Sequence, residues 1–284
     1  MGSSDSINRI DLHTHTTASD GTLSPEALVR AAAERGLHYL GIADHDTTNG
    51  LPEAIRESGQ WPHLTVIPAV ELSATSTFGG DFHLLGYCID ATSGPLQHAL
   101  DEFRRDRDAR VERIVEKLRA AGVDITLDRV EDNADGGAIS RAHIGRVLME
   151  AGEVASIDEA FDRWLGTNRP AFVPRKPLRA ADAVELVRQS GGFSVLAHPL
   201  TMGRYEKQLP ELIDAGLAGI EAYYGPYGSQ ERSMLARLAD EHGLIATGGS
   251  DYHGPDHREG RDLGNVAVPE SVLDRFRQLA PACL

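Results

Sequence analysis

The sequence predicts an α/β fold in which about seven strand–helix units close, or nearly close, into a barrel interrupted by a helical insert. Three observations carry that reading. Apolar, β-rich runs alternate with amphipathic segments along most of the chain, the rhythm of a mainly parallel sheet. The rhythm breaks between Pro95 and Arg169, where the texture turns charged and helical. The length of 284 residues, with 41% hydrophobic and 25% charged content, suits one large domain or one domain carrying an insert.

Each element has its own signal. Ile7–Leu12 reads as the first strand. Ser24 as N-cap, Pro25 at the first helical position and Gly36 as stop delimit a helix through Arg35. Tyr39–Ala43 is the second strand, Leu51–Ser58 a short helix and Leu64–Val70 the third strand. Phe82–Ile89 is the fourth, running into the turn-like Asp90–Gly94. In the insert, residues 98–121 set Phe103, Val111, Ile114, Val115 and Leu118 at helical spacing, with Gly122 as stop. Ser140–Glu150 and Ser156–Leu165 are further helices, the second opened by Ser156 and Glu159 as a capping box. The strand–helix rhythm then resumes. Helices are expected at Ala180–Ser190, Leu209–Ala215, Ser229–Gly243 and Val272–Leu279. Strands are expected at Phe193–Ala197, Gly219–Ala222 and Leu244–Thr247. The chain thus divides into a first barrel part, residues 1–94, a helical insert or lid, 95–169, and a second barrel part, 170–284.

Charge and composition exclude some functions. A formal net charge of −15 and a pI near 5.2 argue against a groove that grips long duplex nucleic acid. Bound divalent cations would offset ~2 charges each. No apolar run approaches the ~20 residues of a membrane span, and the first residues lack a secretory pattern. A cytoplasmic monomer with no membrane partner is the expectation. The two cysteines are too few for a disulfide framework and have no CxxC spacing. Cys88 reads as a buried strand residue and Cys283 as part of the tail.

Strand after strand ends in residues that bind metal. The first runs into His13, His15 and Asp20, the second into Asp44, His45 and Asp46, and the third into Glu71. The fourth contains His83. The strand after the insert runs into His198, and the last into Asp251 and His253. In a parallel barrel such ends share one face. Imidazole nitrogen and carboxylate oxygen suit Mn²⁺, Zn²⁺ and Fe²⁺, and a carboxylate such as Glu71 can bridge two ions. Singly, each motif has an ordinary structural reading, as a turn, a helix cap or a strand end. Jointly, six of the twelve histidines with Asp20, Glu71 and Asp251 form a polynuclear set.

Together, HTHTTASDG, ADHDT, Glu71, His83, AHP and SDYHG resemble the PHP (polymerase and histidinol phosphatase) family, over residues 7–90 and 175–268. The resemblance implies a distorted (β/α)7 barrel and a trinuclear site. His13, His15, Glu71 and Asp251 would hold one ion, Glu71, His83 and His198 the second, and Asp20, His45 and His253 the third. The insert and its ISRAHIGRVLMEAG segment are similar to the subgroup that hydrolyses nucleoside 3′,5′-bisphosphates, whose relatives trim short 5′-phosphorylated RNA. By that resemblance Arg141 and His143 face the substrate. Arg169 stands where many such members have the lysine of a Lys-Pro pair, and a guanidinium there would bind phosphate bidentately. The segment Tyr223–Ser229 departs from the family's usual pattern.

The expectation is a metal-dependent phosphatase acting on a small nucleotide, with Glu71, His198 and Arg141 central to the chemistry. It would use roughly two to three divalent ions, Mn²⁺ first and Zn²⁺ or Fe²⁺ as alternatives. Alternative activities are a 5′-to-3′ exonuclease on short RNA and a histidinol phosphate phosphatase. A non-catalytic metal-binding module is opposed by the complete ligand set. Asp46 is the one candidate acid for the leaving group.

Overall fold

The computed structural model describes residues 10–78, 81–134, 139–174, 178–255 and 260–283. Its strands form one seven-stranded sheet in chain order: β1 (Ile10–Thr14), β2 (Tyr39–Ile42), β3 (Thr65–Thr75), β4 (Asp81–Tyr87), β5 (Phe193–Leu196), β6 (Gly219–Tyr224) and β7 (Ile245–Gly249). The first three residues expected in β1 lie outside the described residues. Past their ends β7 and β1 meet. Asp251 N donates to His13 O at 2.8 Å, and His15 N donates to Tyr252 O at 2.9 Å. The sheet is therefore nearly closed into a barrel. Gly249 allows the approach, since a Cβ there would lie 2.5 Å from His13 N.

The helices are α1 (Pro25–Glu34), α2 (Leu51–Ser58), α3 (Gly94–Ala120), α4 (Leu127–Ala134), α5 (Arg141–Glu150), α6 (Ile157–Ala160), α7 (Ala180–Gln189), α8 (Tyr205–Asp214), α9 (Ser229–Glu241) and α10 (Ser271–Leu279). α6 runs on into a π-helical turn, Phe161–Leu165. Of these, α4 has no counterpart in the sequence reading, and α8 starts earlier than expected.

Two apolar cores hold the barrel. One lies between the sheet and its outer helices and includes Leu28, Leu40, Val70, Leu84, Val184 and Ile220. The other fills the end of the barrel away from the ligands and includes Leu12, Ile67, Val195 and Phe276 of α10. There the rings of Tyr87 and Phe193 lie 5.2 and 4.8 Å from that of Phe276, with buried tilted and edge-on packing.

The sheet is mainly parallel, but β4 is antiparallel to both β3 and β5. β3 runs past Glu71 to Thr75, and β4 returns beside it, with Ser73 opposite His83. His83 thus lies near the start of its strand and still reaches the rim where the other strands end. The reversal also decides where the insert leaves the barrel. The last residue of β4, Tyr87, pairs with Phe193 at the start of β5, so the chain leaves for the insert at the end of the barrel remote from the ligands. Only the return lies at the ligand rim, where Thr75 N donates to Leu178 O at 2.7 Å.

The long helix α3 makes up the difference. Its early residues Leu96 and Leu100 pack in the barrel core. Its later residues Val111, Ile114, Val115 and Leu118 belong to a separate core with α4, α5 and the π turn.

The two cysteines also depart from expectation. Cys88 lies just past β4 and is joined by a disulfide to Cys283, across 195 residues of sequence. The bond fastens the C-terminal end against the apolar end of the barrel, where both residues pack against the second core.

Candidate metal centre

The rim gathers all nine expected ligands around one carboxylate. Glu71 is fully buried at the level where β3 passes the ends of its neighbours. Its Oε2 lies 3.1 Å from His13 Nε2, 3.2 Å from His15 Nε2 and 3.2 Å from His45 Nδ1. Its Oε1 lies 2.8 Å from His83 Nδ1 and 2.9 Å from His198 Nε2. The two oxygens of one residue therefore face different imidazole groups, as a bridging ligand requires. Asp251 Oδ1 stands 3.2 Å from His15 Nε2, and Asp20 Oδ1 stands 3.3 Å from His253 Nε2.

Among the described residues, three subsets have ligand atoms close enough for a shared ion: His13, His15, Glu71 and Asp251; His15, Asp20, His45 and His253; and His45, Glu71 and His83. The first equals the set implied by the family resemblance, and the second adds His15 to it. The third has His45 in place of His198, although His198 meets the same Glu71 oxygen as His83.

The donor set fits divalent cations. Both ring nitrogens of His15, Nδ1 of His45 and of His83, and one oxygen each of Asp20 and Asp251 are buried without a hydrogen bond. Unpaired buried polar atoms are costly, and these converge on common points. The charge balance asks for cations as well. Burial disfavours ionisation of Asp20, Glu71 and Asp251. The histidines around Asp20 and Glu71, and Arg261 with the histidines around Asp251, overcome that and hold all three carboxyls well below the usual range. Burial likewise opposes charge on His15, yet Asp251 and Glu71 lift it to about 9. The positive charge that these carboxylates draw is what a metal ion supplies when it displaces protons.

Several supporting contacts escaped the sequence reading. Glu221, buried on β6, places Oε1 2.9 Å from His13 Nδ1 and accepts a hydrogen bond from His198 N at 2.8 Å. It fixes the ring orientation of one ligand and the backbone of another. Its signal was a carboxylate inside the apolar run GIEAYY. Asp251 Oδ2 accepts from Tyr224 OH at 2.8 Å and pairs with Arg261 at 2.9 Å. Tyr224 belongs to the segment that departs from the family pattern. Asp44 accepts from Thr16 N and Ser19 Oγ, holding the loop between His15 and Asp20. Asp46, His198 and Asp251 all have positive φ, local strain of the kind that gathers at functional sites.

A cavity of about 420 Å³ opens over the ligands. Arg107, Arg110, Arg141 and Phe161 of the insert line it, with Arg261 from the barrel side. Arg141 lies over the Phe161 ring and donates to Leu165 O at 3.3 Å. The other two expected substrate residues do not line the cavity. His143 is buried in the capping box of α5, its Nδ1 accepting from Ser140 N at 2.9 Å. Arg169 lies exposed in a turn beyond the π helix. Asp46, the candidate leaving-group acid, accepts from Ser73 N and pairs with Arg107.

Residues 11–169 match the PHP domain model. The chain belongs to the PHP family. It is 37% identical over 254 residues to the 5′-3′ exoribonuclease Rnm of Escherichia coli (strain K12), covering 86% of this chain and 85% of that one. It is 34% identical over 278 residues to the 3′,5′-nucleoside bisphosphate phosphatase of Chromobacterium violaceum, covering 95% and 96%. A solved amidohydrolase from the same organism, with bound sulfate, superposes with a TM-score of 0.86 at 32% identity, covering 95% of each chain. This PHP chain is a metal-dependent phosphoesterase built on a (β/α)-type barrel. No described helix is long and apolar enough to cross a membrane.

Proposed function

We propose that this PHP enzyme hydrolyses a phosphate monoester of a small nucleotide, a nucleoside 3′,5′-bisphosphate giving the 5′-monophosphate and phosphate. One observation carries the reading. The cavity is lined both by a polynuclear ligand set and by arginines of the insert, cationic partners for a reacting phosphate and a second anion. The similarity to the bisphosphate phosphatase over nearly the whole chain supports it.

Roughly two to three divalent ions, Mn²⁺ by preference, would be held by the nine ligands and would polarise the phosphoryl oxygens and activate water. The chain's own residues do the rest. Glu71, whose two oxygens face different imidazole groups, would offer one oxygen to each of two ions. Glu221 keeps Nε2 of His13 directed at the centre by holding Nδ1. Tyr224 and Arg261 hold Oδ2 of Asp251, leaving Oδ1 to face the ligands. Arg141 binds the phosphate that is not cleaved, from the first turn of α5, where backbone N–H groups also favour an anion. The insert, proposed as a separate unit over 95–169, covers the cavity and limits access of bulk water.

A second reading, favoured by the similarity to the exoribonuclease, is stepwise removal of nucleotides from short 5′-phosphorylated RNA with the same residues. A panel decides between them. Metal-loaded protein is assayed for product release from adenosine 3′,5′-bisphosphate, AMP, histidinol phosphate and a 5′-phosphorylated oligoribonucleotide. Preference for the bisphosphate by kcat/KM upholds the first reading, and preference for the oligonucleotide replaces it with the second.

A further inference from the structure

Two arginines of the insert are directed at the barrel loops that carry ligands. Arg146, on α5, donates from Nη2 to the backbone oxygen of Asp20 at 2.7 Å. Arg107, on α3, pairs with the Asp46 carboxylate and reaches the backbone oxygen of His45 at 3.5 Å. Asp46 in turn accepts from Ser73 N at 2.7 Å, and its own N donates to Glu71 O at 3.0 Å. Arg107 thus closes a clamp on the turn that presents His45.

Asp20 and His45 belong to the same ligand subset, with His15 and His253. The subset around His13 and Asp251 is supported differently. Its contacts come from Glu221 and Tyr224 on β6 and from Arg261 after β7, all in the barrel. Among the described residues, the insert's arginine contacts given above fall on Asp20 and on the turn of His45, whereas those on His13 and Asp251 come from the barrel.

We infer that Arg107 and Arg146 are positioning residues for the ion held by Asp20, His45 and His253, so that seating of the insert and occupancy of that position are coupled. The inference rests on the proposed polynuclear centre having an ion position at Asp20, His45 and His253. Its physical basis is that a guanidinium donating to a ligand's own backbone is a strong, charge-assisted contact. Losing such outer contacts typically weakens metal binding about 10- to 100-fold. Coupling is reciprocal, so the same ion would steady α3 and α5 over the cavity.

The test uses full-length protein stripped with a chelator and titrated with Mn²⁺ by calorimetry, with elemental analysis after desalting. Wild type, Arg107→Met, Arg146→Met and Arg146→Lys are compared. Arg113→Met, on the exposed side of α3, is the control. The expected result is that each methionine variant loses one ion of the wild-type complement, or binds it about 10- to 100-fold more weakly, with the remaining sites unchanged. Arg146→Lys recovers part of that loss, since one N–H suffices for a carbonyl. Arg113→Met matches wild type. Unchanged stoichiometry and affinities in both methionine variants overturn the inference. So does uniform weakening at every site, which would place the arginines in general stability. If one methionine variant does not fold, the other decides: selective weakening of one site supports the inference, and a wild-type titration overturns it. The wild-type count judges the reading of three ions separately. If it is two, the coupling stands or falls on whether a variant loses one of those two.

Discussion

The ligands of the barrel rim sit on backbone that the sheet fixes, whereas the arginines of the insert sit on helices with a small core of their own. Glu71 lies in a strand paired on both sides, and the turn after β7 hydrogen-bonds to β1 beside His13. Arg107 and Arg110 extend from the part of α3 that enters the insert core, and Arg141 from α5 within it. Rigid backbone suits atoms that must hold a metal spacing to within tenths of an ångström. A lid with its own core can cover a substrate and supply cations without disturbing that spacing. In the proposed reading the rim carries the chemistry and the insert the choice of substrate, and either half of that division can be broken.

The largest effect is expected at the rim. Glu71→Gln should lower kcat at least about 1,000-fold on every substrate, ~4 kcal/mol in barrier, because a neutral amide bridges poorly. Metal content should fall with it while circular dichroism stays that of wild type. Retention of more than about a tenth of kcat, a loss of only ~1.4 kcal/mol, would remove Glu71 from the bridging role.

The disulfide comes next and touches neither side of the chemistry. Cys88 and Cys283 close a long loop, 195 residues apart in sequence, and such bonds typically contribute about 2–4 kcal/mol. Cys283→Ser, or wild type in reductant, should unfold in denaturant with that loss, while kcat at 25 °C stays within a factor of about two, under ~0.5 kcal/mol in barrier. A fall in kcat with stability unchanged would tie the apolar end of the barrel to the rim. Disulfides are rare in reducing cytosol, so the redox state of this pair in freshly lysed cells also tests the cytoplasmic reading.

Arg141→Ala should then separate the two regions. Loss of a charge-assisted contact to a second phosphate corresponds to about 2–3 kcal/mol in kcat/KM on a bisphosphate. A simple phosphomonoester lacks that phosphate and should change little. Equal losses on both substrates would move Arg141 to the reacting phosphate. No loss on either would leave it a packing partner of Phe161.

Much of this was legible in the sequence, and the exceptions have physical reasons. HTH, ADHD and SDYH were readable because ligand types recur at one strand end after another, although each motif alone has an ordinary structural reading. The direction of β4 was not readable, since FHLLGY alternates identically whichever way the strand runs. The disulfide was hidden because spacing carries no information across so long a separation. His143 was assigned to the substrate by family resemblance alone, which carries no sign of the capping contact with Ser140 that buries it. Arg107 and Arg110 were within reach. They fall on the same face of α3 as Phe103, Val111 and Ile114, and only the abundance of charge in RRDRDAR concealed them.

The smallest expected effect concerns His143, which links the insert's fold to pH. Burial lowers its pKa to about 4, with Arg146 and Arg107 adding to burial and Asp20 opposing it. The ring must stay unprotonated at Nδ1 to accept from Ser140 N. In the unfolded chain the group titrates near 6.5. Above that value both states are neutral and the contribution is complete. As pH falls below it the unfolded chain takes up the proton first, so stability is lost progressively down to the folded value near 4. Between pH 7.5 and 5.5 this amounts to ~1 kcal/mol. Other histidines titrate in the same window, so the effect is isolated by difference. His143→Gln keeps a residue suited to the third position of a capping box but cannot titrate. Denaturant unfolding of metal-free wild type and variant at the two pH values should show wild type losing ~1 kcal/mol more than the variant. Equal losses would mean that His143 is protonated in the folded protein, or that the Ser140 contact does not hold it neutral.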